Sequence, residues 1–368
     1  MMHIAMFDAA NSAADVYTPF RVHVPGARGA SQQVAAAQAA HDVLSALFPA
    51  QQPVFGAALT RSQVGIPRGL AEQGKIIGSQ VAQEVLKWRR EDGWPATIAP
   101  DADYPLPPFP GLYQPTPPAN SAPTFVFYRN ATPFALLSST QCLPPSPPSI
   151  TSARYAQDFN ETKSLGAVNS TTRTTAQTLL AQIVHGVNTS TASTMVWNNV
   201  AADVARSRAF SLIDAARLFA LLNASFNDAI QTSFTSKFVY NMWRPVTAIR
   251  LADQDLNDAT VADTDWLPLL PTPPYPAYAG NMACLSFASA RALSLAFERD
   301  DIPLSVTWNR TMGLPSETLE FTGFSHLAEQ MAISRVYGGI HFKFDTDASK
   351  QVCGKVAEYV NANFMRRR

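Results

Sequence analysis

The chain has no charge excess of either sign: 28 Lys and Arg stand against 28 Asp and Glu in 368 residues. A neutral chain has no long-range field to gather nucleic acid or an anionic membrane surface, so neither is expected as a partner. Cysteine is scarce. Cys142, Cys284 and Cys353 lie far apart and lack metal-type spacing, so no zinc site is expected and at most one disulfide is possible. No apolar run reaches about 18 residues, so no membrane-spanning helix is expected. No signal peptide is recognised, since Met1-Met2-His3 leads straight into a helical pattern. Charged residues are only 15% and hydrophobic residues 46%, which supplies a sizeable core and is too apolar for a disordered chain.

Proline is abundant and clustered, at 100–123 and again at 144–148. It cannot donate a backbone hydrogen bond and breaks helices. These stretches are expected to be irregular and packed over a helical surface. Apolar residues at helical spacing predict helices over 34–47, 70–90, 164–187, 200–225, 226–250 with a break near Pro245, 283–297, 317–335 and 347–364. Strand-like alternation is scarce. The fold class is therefore all-α, with about ten or more helices in a single domain over 1–368. Six N-x-Ser/Thr sequons, at Asn130, Asn160, Asn169, Asn188, Asn223 and Asn309, have meaning only on a eukaryotic secretory route.

Two segments carry charge in apolar surroundings. The first is Lys237-Phe238-Val239-Tyr240-Asn241-Met242-Trp243-Arg244-Pro245. A spacing of seven places Lys237 and Arg244 on one face of a helix, and the aromatic neighbours predict burial. Buried cations need an anionic partner, and no acidic residue lies nearby in sequence. A bound oxyanion fits, because a guanidinium grips two phosphate-like oxygens at once. The second segment is Ser334-Arg335-Val336-Tyr337-Gly338-Gly339-Ile340-His341-Phe342. On one continuous helix Arg335 and His341 would diverge by about 240°. Gly338-Gly339 between them is expected to break the helix and turn His341 back.

These two segments, in this order, resemble the oxyanion-binding motifs of the vanadium-dependent haloperoxidases and the related type 2 phosphatidic acid phosphatases. Residues 3–11, 65–89, 132–138, 155–166 and 197–200 extend the resemblance over nearly the whole chain, closest to the soluble haloperoxidase branch. The resemblance implies two packed four-helix bundles with Pro-rich loops, and an oxyanion-site half at about 226–345. It implies that Lys237, Arg244 and Arg335 neutralise the oxygens of vanadate or phosphate, and that His341 is the vanadium ligand or phosphate nucleophile. It also implies a secreted or periplasmic protein. Residues 1–11 resemble an internal stretch of the family, so further residues are expected before them.

The middle motif departs from the pattern. The family usually reads Y-P-x-Y-P-S-G-H-A; here Tyr275-Pro276-Ala277-Tyr278 is followed by Ala279-Gly280-Asn281-Met282. Gly280 keeps a backbone donor and loses the serine hydroxyl. Asn281 offers an N–H and tolerates positive φ. Met282 replaces the acid–base histidine and cannot carry a proton. No other histidine stands in for it by motif: His326 is about 180° from Arg335 on a straight helix, and His3, His23, His41 and His185 match no catalytic position. The expected function is a vanadate-dependent haloperoxidase-type oxidoreductase acting on hydrogen peroxide and halide. Its turnover is weakened by the missing histidine. The alternatives are a degenerate or repurposed phosphate- or vanadate-binding homologue and, behind it, an acid phosphatase.

Overall fold

The computed structural model of the chain describes residues 1–185, 190–308 and 316–368; the sequons at Asn188 and Asn309 and the end of the predicted 164–187 helix lie outside them. The elements are α1 (Met2–Ala14), α2 (Gln32–Leu47), α3 (Gln52–Ser62), α4 (Arg68–Trp88), α5 (Ala153–Gly166), α6 (Thr175–His185), α7 (Ser190–Ser207), α8 (Leu212–Tyr240), α9 (Pro245–Arg250), α10 (Asn281–Phe297), β1 (Leu304–Trp308), β2 (Glu317–Phe321), α11 (Phe324–Tyr337) and α12 (Lys343–Asn363). The protein is mostly helical, as its sequence predicts.

Contacts divide the chain into two units. The first comprises Met1–Asp92, Asn198–Ala224 and Glu358–Arg368; the second comprises Gly93–Trp197 and Ser225–Ala357. In the first, α2 and α4 meet through small residues. A Cβ on Gly78 would lie 2.5 Å from the Ala35 carbonyl oxygen, so only glycine permits this approach. Ala35, Ala39, Val43, Ile77, Val81 and Val85 fill the seam.

The second unit contains all of 226–345. Its Pro-rich stretches are packed, as expected. Tyr240 and Tyr278 donate their hydroxyls to the carbonyls of Pro144 and Pro145, both at 2.6 Å. The 100–123 stretch serves the break between α8 and α9, where residues 241–244 leave helical geometry and need backbone partners. Tyr113 N–H donates to the Asn241 carbonyl (2.7 Å) and Trp243 N–H to that of Gly111 (2.9 Å).

Three local expectations are corrected. Residues 317–335 do not form one helix. The alternation Glu317-Thr318-Leu319-Glu320-Phe321 makes β2, antiparallel to β1 with Leu304 opposite Phe321, and Trp308 meets Phe321 edge-on. The helix expected from 164 begins only at Thr175, because Ser170, Thr172 and Arg173 bind one another and nearby backbone in a turn. The helix expected over 200–225 breaks between Ser207 and Leu212, where Ala209 takes positive φ and the Ser211 hydroxyl caps Asp214 N–H.

A disulfide joins Cys284 on α10 to Cys353 on α12, while Cys142 is free. It closes a loop with a sequence separation of 69, for which the chain-entropy relation gives about 4 kcal/mol. Reduction, or the Cys284→Ala/Cys353→Ala pair, is expected to lower unfolding free energy by roughly that amount in urea titrations. An unchanged urea midpoint on reduction would contradict this.

Candidate functional site

Lys237 and Arg244 do not share a helix, which corrects the sequence reading. Asn241 takes the left-handed conformation at φ 48° and α8 stops at Tyr240. Pro245 opens α9 and disfavours helical geometry at the residue before it, so Arg244 is extended. Both side chains are nevertheless fully buried, and Arg335 is nearly so at 7% exposure. The expected break after Arg335 is present. Gly339 has φ 74°, and a Cβ there would lie 2.4 Å from the Gly166 carbonyl oxygen, so no other residue makes this turn. The turn carries buried His341 to Arg244, whose Nη1 lies 3.1 Å from His341 Nε2.

The cations lock the segments together. Lys237 Nζ donates to the carbonyls of Pro276 (3.1 Å) and Ala277 (2.7 Å). Arg244 Nε donates to that of Tyr275 (2.7 Å) and its Nη1 to that of Ile340 (2.8 Å). The Tyr275 ring lies under both cations, 5.4 Å from Lys237 Nζ and 4.9 Å from the Arg244 guanidinium carbon. Such contacts add about 2 kcal/mol when desolvated. Donors remain, among them Arg244 Nη2, Arg335 Nη1 and the Tyr113 hydroxyl, each buried with no hydrogen-bond partner among the described residues.

One carboxylate faces this charge, and sequence reasoning missed it. Asp345 is fully buried, and its Oδ2 accepts from His341 Nδ1 (2.8 Å) and Phe342 N–H (3.1 Å). Its position four residues after His341 is the signal that was available. Burial lowers the Lys237 pKa, and Arg244 lowers it further; burial raises Asp345, which Lys237 opposes. Burial and then Arg244, Lys237 and Arg335 hold His341 well below the usual imidazole range. His341 is therefore neutral. It donates Nδ1–H to Asp345 and keeps its Nε2 lone pair toward Arg244.

The middle segment meets this group through α10. Gly280 precedes the helix, so the positive end of its dipole begins at Asn281 and Met282, both half-buried. Asn281 is helical and uses no positive φ. The Gly280 N–H, expected to be an anion donor, instead donates to the Asp345 carbonyl at 3.1 Å, while the Ser349 hydroxyl holds the Gly280 carbonyl at 2.9 Å. His326 bonds Thr322 beside the strand pair. His185, dismissed by motif, lies against Arg335: its Nδ1 is 3.1 Å from Arg335 Nη2.

Three cations, one carboxylate and a neutral imidazole leave an excess of buried positive charge, and none of the three cations forms an ion pair within 4.0 Å among the described residues. Removing a charge from water without compensation costs several kcal/mol per ion. The donor set fits a tetrahedral oxyanion: planar and point cations around a single nitrogen lone pair. No cluster of three or more His, Cys, Asp or Glu suited to a bare metal ion occurs among the described residues.

Residues 217–368 match the family described as the VCPO second helical-bundle domain. The chain is similar to a bacterial vanadium-dependent iodoperoxidase of known structure, with a TM-score of 0.80 and 22% identity over 100% of this chain and 89% of that one. It is also similar to an apo-type bacterial vanadium-dependent chloroperoxidase, with a TM-score of 0.75 and 16% identity over 98% of this chain and 91% of that one. A holo-type bacterial vanadium-dependent chloroperoxidase gives a TM-score of 0.73 and 17% identity over 98% and 90% of the two chains. At these identities the likeness is one of fold. No curated protein matches the chain. No helix among the described residues is long and apolar enough to cross a membrane.

Proposed function

We propose, from the premise that this chain has the fold of the vanadium-dependent haloperoxidases, that it binds vanadate between Lys237, Arg244, Arg335 and His341 and oxidises halide with hydrogen peroxide at a low rate. The observation that carries this is the buried positive excess: three enclosed cations against Asp345 alone, with Arg244 Nη2 and Arg335 Nη1 unpartnered among the described residues. Bound vanadate supplies a Lewis-acidic centre for activating peroxide. The protein's part is to hold it. Arg244, Arg335 and Lys237 neutralise oxygens, His341 offers the one lone pair, and Asp345 keeps that imidazole in the tautomer that leaves Nε2 unprotonated. Asn281 and the start of α10 add the dipole of a helix N-terminus.

The chain brings no proton donor at position 282. A general acid is worth about 10²–10⁴ in rate. Phosphate ester hydrolysis needs its leaving oxygen protonated, so the same site used as a phosphatase is crippled. Peroxide chemistry draws some of its protons from water and buffer. A second reading has Met282 itself in its favour: a homologue that binds phosphate or vanadate and turns nothing over.

The test is bromination with hydrogen peroxide, after chelation and after adding orthovanadate, in wild type and His341→Ala. Activity restored by vanadate and absent from the variant is the expected result. Vanadate binding without turnover in the wild type would overturn the oxidoreductase reading and leave the second one.

Anion binding is also expected to take up protons. Burial and Arg244 depress Lys237 in the free protein, and an entering anion raises it again. Affinity therefore falls as pH rises through the depressed Lys237 range. Calorimetry at a series of fixed pH values, each in buffers of different ionisation enthalpy, reads the proton count. Equal heats in all buffers would contradict the prediction.

A further inference from the structure

We infer that His185 is a positioning residue for the oxyanion site: it holds Arg335 by one nitrogen of the guanidinium fork and leaves the other for the anion. This rests on the reading of Lys237, Arg244, Arg335 and His341 as an anion site. Arg335 carries only hydrogen-bond donors, so at 3.1 Å its Nη2 donates and His185 Nδ1 accepts. That assignment makes His185 a neutral imidazole with its proton on Nε2. Burial and then the Arg335 charge hold its pKa down, to about 4, which agrees. Arg335 Nη1 is then the buried donor of the fork without a partner among the described residues.

The placement follows from the fold. His185 ends α6, and Arg335 lies in the last turn of α11. Ala181 of α6 packs with Ile340 and Leu270, and Tyr337 packs against that cluster. Arg173, just before α6, donates to the carbonyls of Leu165, Ala167 and Tyr337. The start and middle of α6 are thereby tied to the turn that carries His341. An arginine stem has several rotatable bonds, and ordering such a side chain costs conformational entropy. A fixed acceptor removes that cost from the binding step.

The experiment is calorimetric titration of the full chain with inorganic orthophosphate, repeated with orthovanadate. His185→Ala is expected to weaken binding by about 10-fold or more, as loss of a supporting partner does. His185→Asn places an amide oxygen near the Nδ1 position and is expected to restore affinity to within a few-fold. In an Arg335→Ala background, His185→Ala is expected to cost nothing further, because its effect runs through that guanidinium. Equal losses with and without Arg335, or an Asn variant as weak as Ala, would mean a merely structural role and overturn the inference. Wild-type binding with an unchanged His185→Ala variant would overturn it alone. Absence of wild-type binding would overturn it together with the anion-site reading.

Discussion

Met282→His is expected to raise vanadate-dependent bromination by about 10²–10⁴-fold, the usual worth of a positioned general acid or base. Position 282 is the second residue of α10 and is half-buried. The other residues of the proposed cradle are close together: Arg244 against His341, Lys237 on the carbonyls of Pro276 and Ala277, and Asp345 behind His341. Initial rates at saturating vanadate and fixed peroxide check the prediction, with vanadate affinity measured in parallel. A gain in rate with little change in affinity means that the proton donor is what the natural chain lacks. A fall in a native activity would mean that methionine is an adaptation of this site and would contradict the account.

Asp345→Asn is expected to weaken vanadate binding by about 10–100-fold and to lower unfolding free energy by about 3–5 kcal/mol. Both effects come from one carboxylate. Asp345 is fully buried and lies within electrostatic reach of Lys237 and Arg244, so its loss leaves buried cations unopposed. An asparagine amide turned toward His341 donates where the carboxylate accepted. That moves the imidazole proton to Nε2 and removes the lone pair facing Arg244. Asp347→Asn is the contrast. Asp347 is 44% exposed and pairs with Arg154 and Lys343 at the surface, so its loss is expected to cost no more than about 1 kcal/mol. Urea unfolding and calorimetry on the two variants separate the cases. Equal effects would contradict the role given to Asp345.

Much of this was legible in residues, and the limits have physical causes. The helical class followed from apolar periodicity, which is strong in long segments such as α4 and α12. The turn at Gly338-Gly339 was legible because paired glycines between Arg335 and His341 have few other uses. The burial of Lys237 and Arg244 was legible from their aromatic neighbours, and only the shared helix face does not hold. Helical spacing suggested one face, whereas the chain leaves the helix at Asn241 and the Pro-rich loop satisfies the exposed backbone. The β1–β2 pair was missed because five-residue strands carry too little alternation to stand out. Asp345 was readable from its i+4 spacing. His185 was not, because it is brought to Arg335 from 150 positions away by packing alone.

The central claim is that three buried cations and a neutral histidine form an oxyanion site. Titrating the purified protein with orthovanadate in a calorimeter, alongside Arg244→Ala, tests it most directly. The account predicts binding of one anion per chain, competed by phosphate and lost in the variant. No heat of binding in the wild type, or undiminished binding after Arg244 is removed, would contradict it.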